Sequence, residues 1–243
     1  MPDLVHALRA VTRSLRPVTG ATRNAHDAVR LDQQAAQARR AAALAGAHAS
    51  GPSTWICHDQ GSWPPQEQVR HAVDLYADDA ELLSHLTAYV ADGLAEGETC
   101  LVIATPEHRA GLRRRLALAG VDDLDGKQGG GRLLELDAEE VLRRFLRDEW
   151  PDPELFDLAV AEVLRTLVRW GARVRAFGEM VGILHARGLL LAALQLEKLW
   201  EQLQQELDFP LLCAYPLAGS PEQDDDVRQQ VLGLHAHVVA TAG

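Results

Sequence analysis

The chain lacks the residues that hold phosphate. It has no G-x-x-x-x-G-K-[ST] loop and no G-x-G-x-x-G turn, so neither common glycine-rich nucleotide cradle is present. It also lacks the G-x-S-x-G elbow of serine hydrolases and the H-E-x-x-H pair of zinc peptidases. A glycine triplet, Gly129–Gly131, precedes a strand-like run and so presents no helix N-terminus to an anion. Cysteine is scarce. Cys57, Cys100 and Cys213 lie far apart, and the last two fall in apolar runs, which predicts buried reduced thiols rather than disulfides. No apolar run approaches the roughly 18 residues of a membrane span. Asp3, His6, Arg9 and Arg13 interrupt any secretory leader core. A cytoplasmic protein without membrane contact is expected.

Positive charge is also short. The net charge is −11, with seven arginines against three aspartates in residues 1–50 and −15 over the remainder. An acidic body repels nucleic acid, and the small excess over residues 1–50 is weak support for a DNA reader. Metal-binding spacings are missing too. Cys57-His58 has no second close pair to complete a zinc site. His235 and His237 stand two apart in a run read as helix, where ligands prefer i and i+4. No metal and no cofactor are expected.

What the chain does contain is alternation of apolar strands with amphipathic helices. In 243 residues of which 47% are hydrophobic, one large α/β domain plus an extension can be built. Residues 1–48 carry two helical stripes, Leu4, Leu8, Val11 and Leu15, then an alanine-rich stretch. This predicts a helical extension for docking or dimerisation. Residues 49–69, rich in Gly, Ser and Pro, read as a linker. From residue 70 the order predicted is strand 72–76, helix 79–94, strand 99–104, helix 107–119, strand 132–136, helices 138–147 and 153–169, strand 173–177, helix 189–207, strand 210–215 and helix 227–240. Strands separated by helices predict a mostly parallel sheet of five or more strands with helices on both faces.

In such sheets ligands bind beyond the carboxyl ends of the strands. The turn after the first strand is Ala77-Asp78-Asp79, without glycine and with two carboxylates, where a phosphate loop would sit. The strand ends bring Tyr76 and Asp78, then His108, then Glu179 and Met180, then Tyr215 toward one edge. Glu179 reads either as a ligand-contacting or network carboxylate, or as one that caps a helix or pairs with an arginine. His71, just before the first strand, reads either as an exposed or capping histidine or as a ligand contact. Glu197 shares a helical face with Trp200, which is unexpected because an unpaired buried carboxylate is costly. Pairing with Arg173 or Arg175, or a place in the pocket, would explain it.

The runs HAVDLYADDAELLSHLTAYVADGLAEGETCLVIATPEH, GRLLELDAEEVLRRFL, VRAFGEMVGILHARG, ALQLEKLWEQL and LLCAYPL together resemble the MEDS domain. This is the sensory domain of methanogen and methylotroph proteins, including the dichloromethane-responsive repressor. Its strongest marks here are GEM, LExLW and LCAYP. The resemblance spans about residues 70–240 and implies a RecA- or KaiC-like three-layer α/β fold that has lost the phosphate loop. It further implies a non-enzymatic sensory domain, binding a small hydrocarbon derivative and signalling to a transcriptional or sigma-factor/kinase pathway. The family's motif residues fall on His71, Tyr76, His108, Gly178, Glu179, Met180, Glu197, Trp200, Cys213 and Tyr215. A protein partner through residues 1–48 is expected. The alternatives are a scaffold that oligomerises through those helices, or a nucleotide-binding ATPase with a non-standard phosphate site.

Overall fold

The computed structural model describes residues 54–57, 70–217, 231, 235 and 237–240. The expectations for residues 1–48 lie outside them. Strands β1 (Thr54–Cys57), β2 (His71–Tyr76), β3 (Thr99–Ala104) and β4 (Arg132–Asp137) precede the hairpin of β5 (Leu146–Arg147) and β6 (Trp150–Pro151). Strands β7 (Val174–Gly178), β8 (Leu211–Pro216) and β9 (His237–Ala240) follow. Seven of them form one sheet in the order β1-β9-β2-β8-β7-β3-β4, with every pairing parallel. All six residues of β2 and all six of β3 are buried. That is why β3 reads as a nearly continuous apolar run, and β2 as one interrupted by Asp74, rather than as an alternating pattern, as parallel strands covered on both faces do.

The helices are α1 (Asp79–Ala95), α2 (Pro106–Leu118), α3 (Ala138–Phe145), α4 (Pro153–Phe156), α5 (Glu162–Arg169), α6 (Met180–Ala186) and α7 (Leu190–Leu207). Their starts follow from local chemistry. The Asp78 side chain accepts from the Glu81 N–H, and the Glu81 carboxylate accepts from the Ala77 N–H at 2.7 Å. This variant of the capping box satisfies one donor that the helix start otherwise leaves open and one of the turn just before it. Thr105 caps α2 with Pro106 in its first turn, and Asp137 and Asp152 cap α3 and α4. The stretch read as one helix over 153–169 is broken by a π-helical segment, Asp157–Ala161.

Alternation along the strands divides the core into two layers. Ala72, Val102, Phe177, Leu212 and Val239 share one face and pack with Leu82, Leu86, Tyr89 and Val90 of α1. On this face Arg175 is buried, 2.5 Å from Glu98 and stacked 4.9 Å over the Tyr89 ring. Asp74 at mid-strand is also buried, and both its carboxylate oxygens lie 3.0 Å from His85 Nδ1. The opposite face carries His71, Val73, Cys213 and Tyr215 toward α6 and α7. There Trp200 is fully buried, with Phe156 edge-on at 5.5 Å.

Two segments differ from the sequence expectation. Residues 54–57, inside the stretch read as linker, form β1 and pair with β9. Residues 237–240, read as the end of a helix, form β9 between β1 and β2. The HVVA segment is too short for periodicity to separate helix from strand, and the buried slot beside β2 decides it. No helix among the described residues is long and apolar enough to cross a membrane.

Candidate functional site

The residues singled out in the sequence fall into two clusters rather than one edge. The first lies at the carboxyl ends of β2, β3 and β7. Glu179 follows β7 and is 3% exposed. One carboxylate oxygen accepts the Thr105 N–H, and the other stands 2.6 Å from His108 Nδ1. His108 Nε2 lies 3.3 Å from Asp79 Oδ1. The bond to Glu179 is the main cause that raises the His108 pKa above its ordinary value; burial opposes it and Asp79 assists. Tyr76 ends β2 beside this group, and burial first, then the charge of Glu179, pushes its phenol up. Glu179 therefore tethers the start of α2 to β7 and orients His108 between two carboxylates.

Three of the singled-out residues play other parts at this edge. Asp78 is exposed and caps α1. Met180 is fully buried at the start of α6. Tyr215, expected at the edge, turns under α7 instead.

The second cluster lies beneath α7, on the face of the sheet opposite α1. Glu197 projects from α7. Its Oε1 accepts the Tyr215 O–H at 2.7 Å. Its Oε2 stands 3.4 Å from His71 Nε2, 3.3 Å from Cys213 Sγ and 3.5 Å from His235 Nε2. His71 Nε2 is also 3.4 Å from Cys213 Sγ. All four residues are buried. Glu197 thus pairs with neither Arg173 nor Arg175. Arg173 bonds the Glu96 carbonyl, and Arg175 belongs to Glu98 on the other face. His71 is a buried member of this cluster.

Electrostatics here run through one carboxylate. Burial alone would raise the Glu197 pKa, but the histidines, His235 foremost, hold it well below the usual range. Burial lowers His71, as does the neighbouring His235. Burial opposes charge on His235 too, yet Glu197 outweighs it and raises that pKa. Burial, followed by Glu197, pushes the Cys213 thiol up. Trp200 sits one turn along α7 near Gly178, its Nε1 buried without a hydrogen-bond partner among the described residues.

His235 lies in a run that the sequence reads as helix, and the residues alone read Cys213 as a buried thiol, although the family resemblance includes it among the motif residues. The members stand at positions 71, 197, 213 and 235, so no short spacing announces them. The usable signals were a carboxylate on a tryptophan-bearing helix face and the family motif positions at His71, Glu197, Cys213 and Tyr215. A solvent-open groove lined by Arg113, Asp122, Leu124 and Lys127 shares no residue with either cluster.

The family model described as the MEthanogen/methylotroph, DcmR Sensory domain matches residues 70–236. No curated protein and no solved structure matches the chain.

Proposed function

The chain belongs to the MEDS family of sensory domains, and from that premise we propose a non-enzymatic ligand sensor that passes its state to a regulatory partner. The family points to a sensory or regulatory role. The proposed ligand is a small hydrocarbon derivative of the one-carbon class, bound where Tyr76, Asp79, His108 and Glu179 meet. The proposed output is a transcriptional or sigma-factor/kinase pathway, reached through residues 1–48.

The observation that carries this reading is the start of α1. A nucleotide-binding sheet offers the N–H groups of this helix to phosphate. Here Asp78 already accepts one of those donors, the Glu81 N–H, Glu81 accepts the Ala77 N–H of the turn just before the helix, and Asp79 adds a third carboxylate. A phosphate would meet negative charge and occupied donors. A small polar molecule needs neither, and Tyr76 and His108 supply an aromatic wall and a polar anchor.

The test is thermal unfolding of the full chain with methanol, methylamine, dichloromethane and, separately, magnesium–ATP. The expected result is a higher Tm with at least one of the one-carbon compounds, lost in His108→Ala, and no change with ATP. Micromolar ATP binding that disappears in Glu179→Ala would overturn the reading, as would no response to any of the three compounds.

A further inference from the structure

We propose that His71, Glu197, Cys213 and His235 form a tetrahedral site for Zn2+, inside the domain and separate from the edge where Glu179 and His108 meet. The set offers two imidazoles, one carboxylate and one thiolate, a donor mixture suited to this ion. It does not depend on the ligand reading above, because the two clusters share no residue.

Geometry carries the argument. With metal–nitrogen and metal–oxygen bonds of about 2.0–2.2 Å and metal–sulfur bonds of about 2.3 Å, tetrahedral donors stand about 3.3–3.6 Å apart. Four of the six separations are 3.3, 3.4, 3.4 and 3.5 Å. All six lie within 4.8 Å. A hydrogen-bond network alone does not require four donor atoms around one centre, since each bond involves two atoms.

The surroundings orient the same atoms. The Val231 carbonyl can only accept, so His235 Nδ1, at 2.9 Å, must carry the proton. Nε2 then faces the cluster, buried and without a hydrogen bond of normal geometry. Tyr215 occupies Glu197 Oε1, which leaves Oε2 directed at His71, Cys213 and His235. Outer partners of this kind, a carbonyl on the far nitrogen of a histidine and a hydroxyl on the far oxygen of a carboxylate, are usual around bound metals. Four protein donors fill a tetrahedron, which marks a closed structural site rather than a catalytic one. The ion would join β2, β8, α7 and the segment leading into β9.

The test is elemental analysis of the full chain as purified, followed by chelation and titration with Zn2+ and Co2+. The expected result is one equivalent of tightly bound zinc, a lower Tm after chelation, and recovery of Tm on adding zinc. Cobalt should give the visible bands of a tetrahedral centre and a thiolate-to-cobalt charge-transfer band. Cys213→Ser should remove the charge-transfer band, and His235→Ala should weaken cobalt binding by at least tenfold. The cobalt spectrum of the unmodified chain decides the matter even if these variants fail to fold. No tight binding of either ion, an octahedral spectrum without thiolate character, or a spectrum unchanged in Cys213→Ser would overturn the proposal and leave a buried hydrogen-bond network.

Discussion

Replacing Glu179 by glutamine should destabilise the protein at low pH and hardly at all at high pH. Glutamine keeps the shape and still accepts the Thr105 N–H. What changes is the contact with His108 Nδ1, now 2.6 Å from a carboxylate oxygen. A hydrogen bond to a charged partner contributes about 1.5–3 kcal/mol against about 0.5–1.5 kcal/mol for a neutral one. With its oxygen taken by Thr105, the glutamine turns its NH2 toward the protonated Nδ1–H, donor against donor, so the whole charged bond, about 1.5–3 kcal/mol, is the expected loss while His108 is protonated. His108 is 9% exposed, so solvent screens the pair little. Its folded pKa is raised, first by Glu179, above an unfolded value of about 6.5. The pair's contribution is therefore fully present below about pH 6.5 and lost as pH rises through the folded value. Above that value neutral His108 can accept at Nδ1 from glutamine while its Nε2–H donates toward Asp79. Urea unfolding of the full chain and of Glu179→Gln from about pH 5 to pH 9, where ordinary carboxylates stay ionised, measures the difference. A gap between the two proteins that is flat with pH, or that widens on raising it, would refute the reasoning.

Other substitutions test the frame around the two clusters. Gly182→Ala places a methyl against the Ala214 carbonyl, inside van der Waals contact, and 3.0 Å from Pro216 Cδ. Neither atom can rotate away, so overpacking of about 1–3 kcal/mol should exceed the gain in helix propensity of up to about 1 kcal/mol. Unchanged or higher stability in denaturant titration would show that β8 yields at that point. Trp200→Ala should cost about 3–5 kcal/mol, because the side chain is fully buried. Trp200→Phe should cost clearly less, since it also removes an unpartnered buried N–H; equal losses would count against that account. Glu98→Gln should cost less than the roughly 3–5 kcal/mol of a fully orphaned buried charge, because it removes the nearest carboxylate from Arg175 but leaves that of Glu96 at 3.8 Å. Joint replacement by Glu98→Leu and Arg175→Met should recover part of that loss, and a double-mutant cycle without coupling would contradict the pairing.

The sheet was legible where strands are long and mostly apolar. The runs at 72–76 and 99–104 announce themselves because both faces are covered. The caps at Thr105 and Asp137 were legible for a local reason: each side chain bonds the N–H three residues on. The edge strands were not. β1 and β9 have four residues each; β1 lies among glycine, serine and polar residues and β9 in a stretch that reads as helix, so only their pairing defines them. Of the sites, Tyr76, His108 and Glu179 follow from the rule that strand ends gather at one edge. The cluster beneath α7 does not, because it joins the start of one strand, the middle of another, a helix face and a segment near the C-terminus. Glu197 hinted at it: a carboxylate on a buried face demands partners, although sequence alone pointed to the wrong ones.

The capping box at the start of α1 also bears on how this domain can change over time. Asp78 and Glu81 each satisfy a donor that the other leaves open. Removing the Asp78 carboxylate uncaps the helix, at about 0.5–2 kcal/mol, removing that of Glu81 frees the Ala77 N–H of the turn, and either loss still leaves the other acid facing any incoming phosphate. A return to nucleotide binding would need both acids removed and glycines introduced together. Each single step along that path lowers stability before a phosphate cradle exists. The self-capped helix therefore acts as a ratchet: once this turn has closed on itself, point substitution carries it further from a triphosphate site more easily than back.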